Sequence, residues 1–247
     1  MPFTLSHPAA VLPLLRWAGG RGPLVASGLV AGAMAPDVPF FADSVVRGVY
    51  RYGDLTHRWW AVPTVDVVLA GGLVAVWDGL VGGPLVDLLP EALPRTMVGR
   101  NRRFGWFAVS AAVGAATHVG WDAFTHQGRA GVRALPVLER TLAGVPVHTV
   151  LQYGTSAVGL AHVARHAHRA AAAHPRTDPP GRRRTGPAVL AVATAAGVVH
   201  RLARRERGLI AEFCFGAGAG LAVGATAYAA GVRLLTPAAR RRLRTAG

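Results

Sequence analysis

The sequence has 247 residues, 51% of them hydrophobic, and a mean hydropathy of +0.33, more apolar than most soluble domains of this size and weighted toward a membrane protein. Its formal charge of +15 sets 27 arginines and no lysine against 12 acidic residues, and no recognition helix, zinc finger or aromatic-basic strand accompanies it, which argues against a nucleic-acid partner. The single cysteine, Cys214, excludes a disulfide framework and a cysteine-ligated zinc site within one chain, so a metal would have to be held by histidine and carboxylate.

The first twenty residues lack a basic leader region and carry Pro2, Pro8 and Pro13, so they are read as mature structure. Two short apolar runs, 6–17 and 23–41, are joined by Gly19-Gly20-Arg21-Gly22, and this predicts an antiparallel helical hairpin. Such a hairpin returns Asp37, at the end of its second arm, to the level of His7, at the start of its first.

Longer apolar stretches follow at 62–89, 104–124, 145–163, 187–199 and 209–235, and they read as helices in or against a bilayer. The 187–199 stretch falls short of the roughly 20 residues that a perpendicular span needs. The predicted fold is all-α: a polytopic membrane helical bundle with an N-terminal helical hairpin and a His/Asp cluster at one end. The chain divides into a site-bearing membrane part (1–170), a Pro/Arg-rich linker (171–186) and a two-helix membrane tail with a basic C-terminus (187–247).

Most of the arginines gather at 95–103, 165–184, 201–207 and 233–244. If the 62–89 helix runs from outside to inside, three of these clusters are cytoplasmic under the positive-inside rule, and the polar end of the bundle is extracytoplasmic. The 201–207 cluster then faces outward, against the rule, unless the last two segments do not both span.

His118, Asp122 and His126 are spaced i, i+4, i+8 along one stripe of a helix, an edge that offers imidazole and carboxylate to one ion. Tracing the helices alternately up and down brings His7, Asp37, His57, His118, Asp122 and His148 to the same end of the bundle. An ionisable group at bilayer depth costs about 2.5–3.5 kcal/mol on insertion scales, so a gathering of this kind calls for partners or a bound ion. The plainer alternatives are a helix cap for His7, a turn at Asp37 and an interfacial aromatic belt for His57, which adjoins Arg58, Trp59 and Trp60. Asp66 reads as a partner behind the ligands or as a polar residue in a wet cavity. His162, His166, His168 and His200 read as solvated.

The opening Met1-Pro2-Phe3-Thr4-Leu5-Ser6-His7-Pro8, followed by Gly32-Ala33-Met34-Ala35-Pro36-Asp37, resembles a bacterial membrane family known as domain of unknown function 4184, over about residues 1–165. More distantly, the pattern is similar to membrane-bound metal-dependent hydrolases and to zinc-dependent phospholipase C. In the phospholipase the ligands run His, Asp, His, then His-x3-Asp, His and His-x3-Glu. This chain offers His7, Asp37, His57, His118 with Asp122, His126, and His148 with Gln152. The neutral Gln152 departs from that pattern, which implies one or two metals rather than three and a substrate-binding role for Gln152.

The resemblance implies a divalent metal, zinc, and hydrolysis of a phosphoester or a lipid-linked envelope substrate, with membrane lipid as partner. Asp37 and Asp122 are then the catalytic carboxylates, Asp37 serving as ligand or as general base. The rival expectation is a non-catalytic membrane protein with a structural ion site, a channel constriction or a docking role.

Overall fold

The computed structural model describes residues 3–18, 22–88, 104–172 and 185–235. The glycine turn at 19–21, the arginine cluster 95–103, the linker from 173 to 184 and the basic terminus from 236 lie outside the described residues. Two compact units emerge, one drawn from Met1–Phe40, Gly48–Val74 and Gly99–Ala170, the other from Phe41–Arg47, Ala75–Val98 and Ala171–Gly247.

In the first unit, a 3-10 helix at Thr4–Val11 leads into α1 (Leu12–Ala18), and the chain returns along α2 (Ala26–Met34). Pro36 has no N–H with which to continue the α2 ladder, so the chain tightens into a 3-10 turn at Ala35–Asp37 before α3 (Val38–Ala42). Asp37 therefore sits at a break in the second arm of the hairpin. A short α4 (Gly53–Thr56) follows and delivers His57 just past its end.

The long α5 (Val65–Val76) starts in this unit, and α7 (Phe104–Thr125) crosses the N-terminal hairpin. The α2–α7 contact is made through small residues. A Cβ on Gly32 would lie 2.1 Å from the Ala111 carbonyl oxygen, and one on Gly114 would lie 2.2 Å from that of Leu29. Backbones can approach this closely only where side chains are absent, the packing mode favoured between membrane helices. Val25 N–H donates to Ser110 Oγ at 2.8 Å, so α7 also satisfies a donor at the start of α2. Small clusters of Ala31, Ala35, Ala70, Val74 and Ala111, and of Val62, Ala115 and Val119, fill the unit.

Beyond α7 come α8 (Ala130–Ala134), a small hairpin of β1 (Thr141–Leu142) and β2 (Val145–Pro146), and α9 (Val147–Ala172). Ala143 and Gly144 turn the hairpin at φ of 50° and 81°, the left-handed pair that a tight two-residue turn requires.

The second unit contains α6 (Gly82–Val86), α10 (Thr185–Arg204) and α11 (Leu209–Leu235). A π turn at Trp77–Val81 joins α5 to α6. Pro84 cannot donate to the Leu80 carbonyl four residues back, and Arg233 Nε donates to that oxygen instead, at 3.2 Å. The α10–α11 pair closes on glycine: a Cβ on Gly197 would lie 2.3 Å from the Gly216 carbonyl, and one on Gly220 would lie 2.3 Å from that of Ala193.

Among the described residues three helices are long and apolar enough to cross a membrane, Val65–Val86, Thr185–Arg204 and Leu209–Leu235, and the molecule is a membrane protein on that ground. Val192, Val199, Leu209, Ile210 and Phe213 lie exposed along the last two, an apolar surface suited to lipid. One expectation changes. The 187–199 stretch belongs to a 20-residue helix, because Pro187 sits in the first turn, where its missing N–H leaves no bond unmade. The 104–124 and 145–163 stretches are not among the three, since their helices carry the polar residues of the site.

The 201–207 arginines are also reassigned. Arg201 is fully buried, with NH1 2.9 Å from Asp43 Oδ2 and Nε 2.7 Å from Glu212 Oε2. Arg204 donates to the Asp43 carbonyl at 2.8 Å, and Arg207 pairs with Glu206 at 3.1 Å. Buried charges persist only when paired, so this cluster is largely neutralised and is not a free positive loop.

Candidate metal centre

Each polar residue of the site stands at or near the end of a helix. His7 lies in the opening 3-10 helix, Asp37 at the Pro36 break, His57 after α4, and His118 and Asp122 in the last two turns of α7. Asp37, His57, His118 and Asp122 converge so that one ligand atom from each lies within 4.8 Å of all the others, and all four residues are buried.

The spacings are regular. His57 Nε2 is 3.2 Å from Asp122 Oδ2 and 3.6 Å from Asp37 Oδ1, and His118 Nε2 is 3.6 Å from each of the same two oxygens. Tetrahedral ligands at about 2.0–2.1 Å from an ion are about 3.3 Å apart, so these spacings fit one small divalent cation.

Backbone carbonyls fix the protonation of both rings. His57 Nδ1 lies 2.7 Å from the Gly53 carbonyl, and His118 Nδ1 lies 2.8 Å from that of Ala33. A carbonyl only accepts, so each Nδ1 carries a hydrogen and each Nε2 is the atom turned to the carboxylates, as a lone pair where an ion lies between them and as an N–H where none does. Asp37 Oδ1 and His118 Nε2 have no hydrogen-bond partner among the described residues, the pattern expected of atoms that point at an ion. The carbonyl behind each ring is the outer support that metal-binding histidines usually have.

Two further histidines flank Asp122. His7, with no exposed surface, stacks on His118 at 3.6 Å between ring centres and places Nε2 3.6 Å from Asp122 Oδ1. His126, one residue past α7, brings Nδ1 to 3.4 Å from the same oxygen. Burial lowers the His126 pKa to about 4, so its ring is neutral at pH 7. Asp122 thus divides its two oxygens between two pairs of histidines.

His148 is not part of this group. It is buried and lines an adjoining cleft of about 680 Å³ together with His126 and Gln152. Gln152 Nε2 lies 3.3 Å from His126 Nε2, so Gln152 reaches the site through that histidine. Asp66 is fully buried, and neither carboxylate oxygen has a hydrogen-bond partner among the described residues. His162, His166, His168 and His200 lie exposed.

The residues that hold the ligands in place were less legible. Thr4 donates its hydroxyl to Asp37 Oδ2 in a short hydrogen bond. Thr56 donates to the Pro36 carbonyl at 2.6 Å and ties the α4 end to the Asp37 break. The recurrent Ser/Thr-His dipeptides, such as Thr56-His57 and Thr125-His126, were the available signal for Thr56; nothing in the spacing marked Thr4.

A sequence profile described as a domain of unknown function (DUF4184) matches residues 1–230. The match runs past residue 165, where the likeness of the opening motifs stops, and takes in most of the α10–α11 tail. No curated protein and no solved structure matches the chain.

Proposed function

The chain belongs to the DUF4184 family, whose function is unknown, and we propose that it is a membrane-bound, metal-dependent hydrolase of a phosphoester or lipid-linked envelope substrate. One observation carries this reading: of the four converging residues, His57 and Asp122 also line a cleft of about 250 Å³. A closed structural site would give its ion no such access.

Asp37, His57, His118 and Asp122 would hold the ion, and imidazole with carboxylate suits zinc. A divalent cation there supplies a Lewis acid and acidifies a water. Asp37 is the candidate base. In that role its Oδ2 stays fixed by Thr4 while Oδ1 leaves the ion to His57, His118 and Asp122, which opens the position a catalytic site needs, and takes one proton as the water oxygen bonds to phosphorus and the ester P–O bond breaks. The departing oxygen then receives that proton.

A structural ion site is the second reading, favoured by the near-complete burial of the four residues, at 1%, 7%, 0% and 4% exposed in chain order. Elemental analysis of the detergent-purified protein should find at least one divalent ion per chain. Chelation should abolish hydrolysis of a chromogenic phosphodiester, and zinc should restore it. A folded, metal-replete sample without stoichiometric metal sinks the proposal, while bound metal without turnover favours the structural site.

We propose further that the site faces the extracytoplasmic side. The arginines of 95–103 and 165–184 support a cytoplasmic position for the opposite ends of the helices. Neutralisation of Arg201, Arg204 and Arg207 weakens the one cluster that opposed this orientation. In a Cys214→Ala background, an Asp54→Cys variant, altered at a side chain 83% exposed, should react with an impermeant thiol reagent from outside intact cells. Labelling from the cytoplasmic side alone would reverse the orientation.

A further inference from the structure

Two clefts adjoin the metal group, and they share Gly128 and Arg129. The smaller, about 250 Å³, is lined by His57 and Asp122 together with Arg129 and Arg133. The larger, about 680 Å³, is lined by His126, Gln127, His148, Thr149, Gln152 and Tyr153 besides Asp54 and the shared pair. Arg129 therefore stands where the two meet.

We propose that Arg129 and Arg133 form an anion site that holds a phosphoryl group of the substrate over the metal ligands, and that the larger cleft takes a hydrophilic headgroup esterified to it. This assignment rests on the hydrolase reading above and narrows its substrate to phosphate esters of polar alcohols.

The local chain geometry produces the arginine pair. Gly128 adopts φ +72°, a conformation that side chains disfavour, and so reverses the chain directly after α7. The short helix that follows is capped at Arg129 and carries Arg133 four residues on, and both side chains line the smaller cleft. Arg133 NH1 donates to the Gly128 carbonyl at 2.7 Å, which anchors the guanidinium and leaves its other donors for a ligand. Among the described residues Arg129 pairs with one carboxylate, that of Asp54, at 3.5 Å. That carboxylate is 83% exposed, and so weak a surface pair yields readily to a phosphate held in a cleft.

Charge and lining agree with this division. Phosphate oxygens need cationic forks, which the small cleft supplies beside its metal ligands. The large cleft presents amide, hydroxyl, imidazole and phenol groups and no aliphatic side chain. An acyl chain would leave those groups unpaired, whereas a polyol would pair them.

The test uses the full-length protein in detergent, loaded with cobalt so that its absorption spectrum reports both the occupied metal site and any ligand beside it. Inorganic phosphate should perturb the wild-type spectrum saturably. Arg129→Gln and Arg133→Gln should each keep cobalt at the wild-type stoichiometry while raising the phosphate Kd about tenfold or more, the loss expected for a charge-assisted hydrogen bond. Arg129→Lys should fall between, because it keeps the charge and loses the fork. Glycerol phosphate should bind more tightly than hexyl phosphate, and Gln152→Ala should remove that preference. Phosphatidylglycerol added to the micelle should compete with glycerol phosphate if the headgroup belongs to a lipid, and should not if the ester is soluble; either result supports the site.

Unchanged phosphate affinity in both glutamine variants, or a cobalt-loaded wild type indifferent to phosphate, overturns the anion site and leaves the metal centre standing. Tighter binding of hexyl phosphate overturns the hydrophilic headgroup. A wild type that takes up no cobalt removes the metal reading and this site with it.

Discussion

Asp122→Asn is expected to lower the affinity for the metal by more than about 100-fold and to abolish turnover while leaving the helical content unchanged. Replacing an outer support of a metal ligand costs about 10–100-fold, and Asp122 is placed to bind directly. Its Oδ2 faces His57 at 3.2 Å and His118 at 3.6 Å, and its Oδ1 faces His126 at 3.4 Å and His7 at 3.6 Å. Asparagine keeps the shape, removes the negative charge and presents an amide nitrogen that cannot ligate. The fold does not depend on that charge, because α7 is held by its small-residue contact with α2. Far-UV circular dichroism and elemental analysis on one preparation decide the matter. Retention of stoichiometric metal by this variant would show that the ion, if any, sits elsewhere.

Gly32→Leu should do the reverse and destroy fold and site together. A Cβ at this position would meet the Ala111 carbonyl at 2.1 Å and its Cα at 2.8 Å, backbone atoms that cannot rotate aside. Overpacking a core costs about 1–3 kcal/mol when side chains can adjust, and here they cannot, so the loss should exceed about 3 kcal/mol. The α2–α7 separation also sets the 2.8 Å contact between the Ala33 carbonyl and His118 Nδ1. Forcing the helices apart therefore releases the ring that faces Asp37 and Asp122. The expected result is aggregation or a lowered melting temperature, with metal content falling in proportion to folded protein. A variant that is well folded and metal-loaded would mean that the helices cross more loosely than this.

The difference between these two substitutions marks what the amino-acid order shows by itself. Membrane class is a local property, written in the run length of apolar residues, so the spans from Val65 and from Leu209 were legible. The helical pairing of His118 with Asp122 was equally plain, since a four-residue spacing fixes two side chains on one face whatever surrounds them. The return of Asp37 toward His7 followed from two short arms and a glycine turn between them.

Helix ends were less readable. Hydropathy fades at about residue 199, but the hydrogen-bond ladder of α10 continues to Arg204, because Asp43 and Glu212 neutralise the arginine that the helix buries there. Nothing near Arg201 in the sequence announces Asp43, more than 150 positions away. The 201–207 cluster consequently read as a free charge when most of it is paired.

Composition and spacing alone determined that this is a nearly all-helical membrane chain, with only the short β1–β2 hairpin besides among the described residues, in which histidine and carboxylate must do any metal binding. Only the tertiary structure decided which of them meet. Candidates on one level of the bundle separate into a four-residue group at Asp37, His57, His118 and Asp122, two flanking rings at His7 and His126, and a cleft wall at His148 and Gln152. Angstrom differences in helix approach make that division, and the approach is set where Gly32 and Gly114 let two backbones touch. The hydrogen on each ligand ring is likewise set by a distant carbonyl, Ala33 for His118, so the lone pair that can bind an ion exists at its place only once the chain has folded.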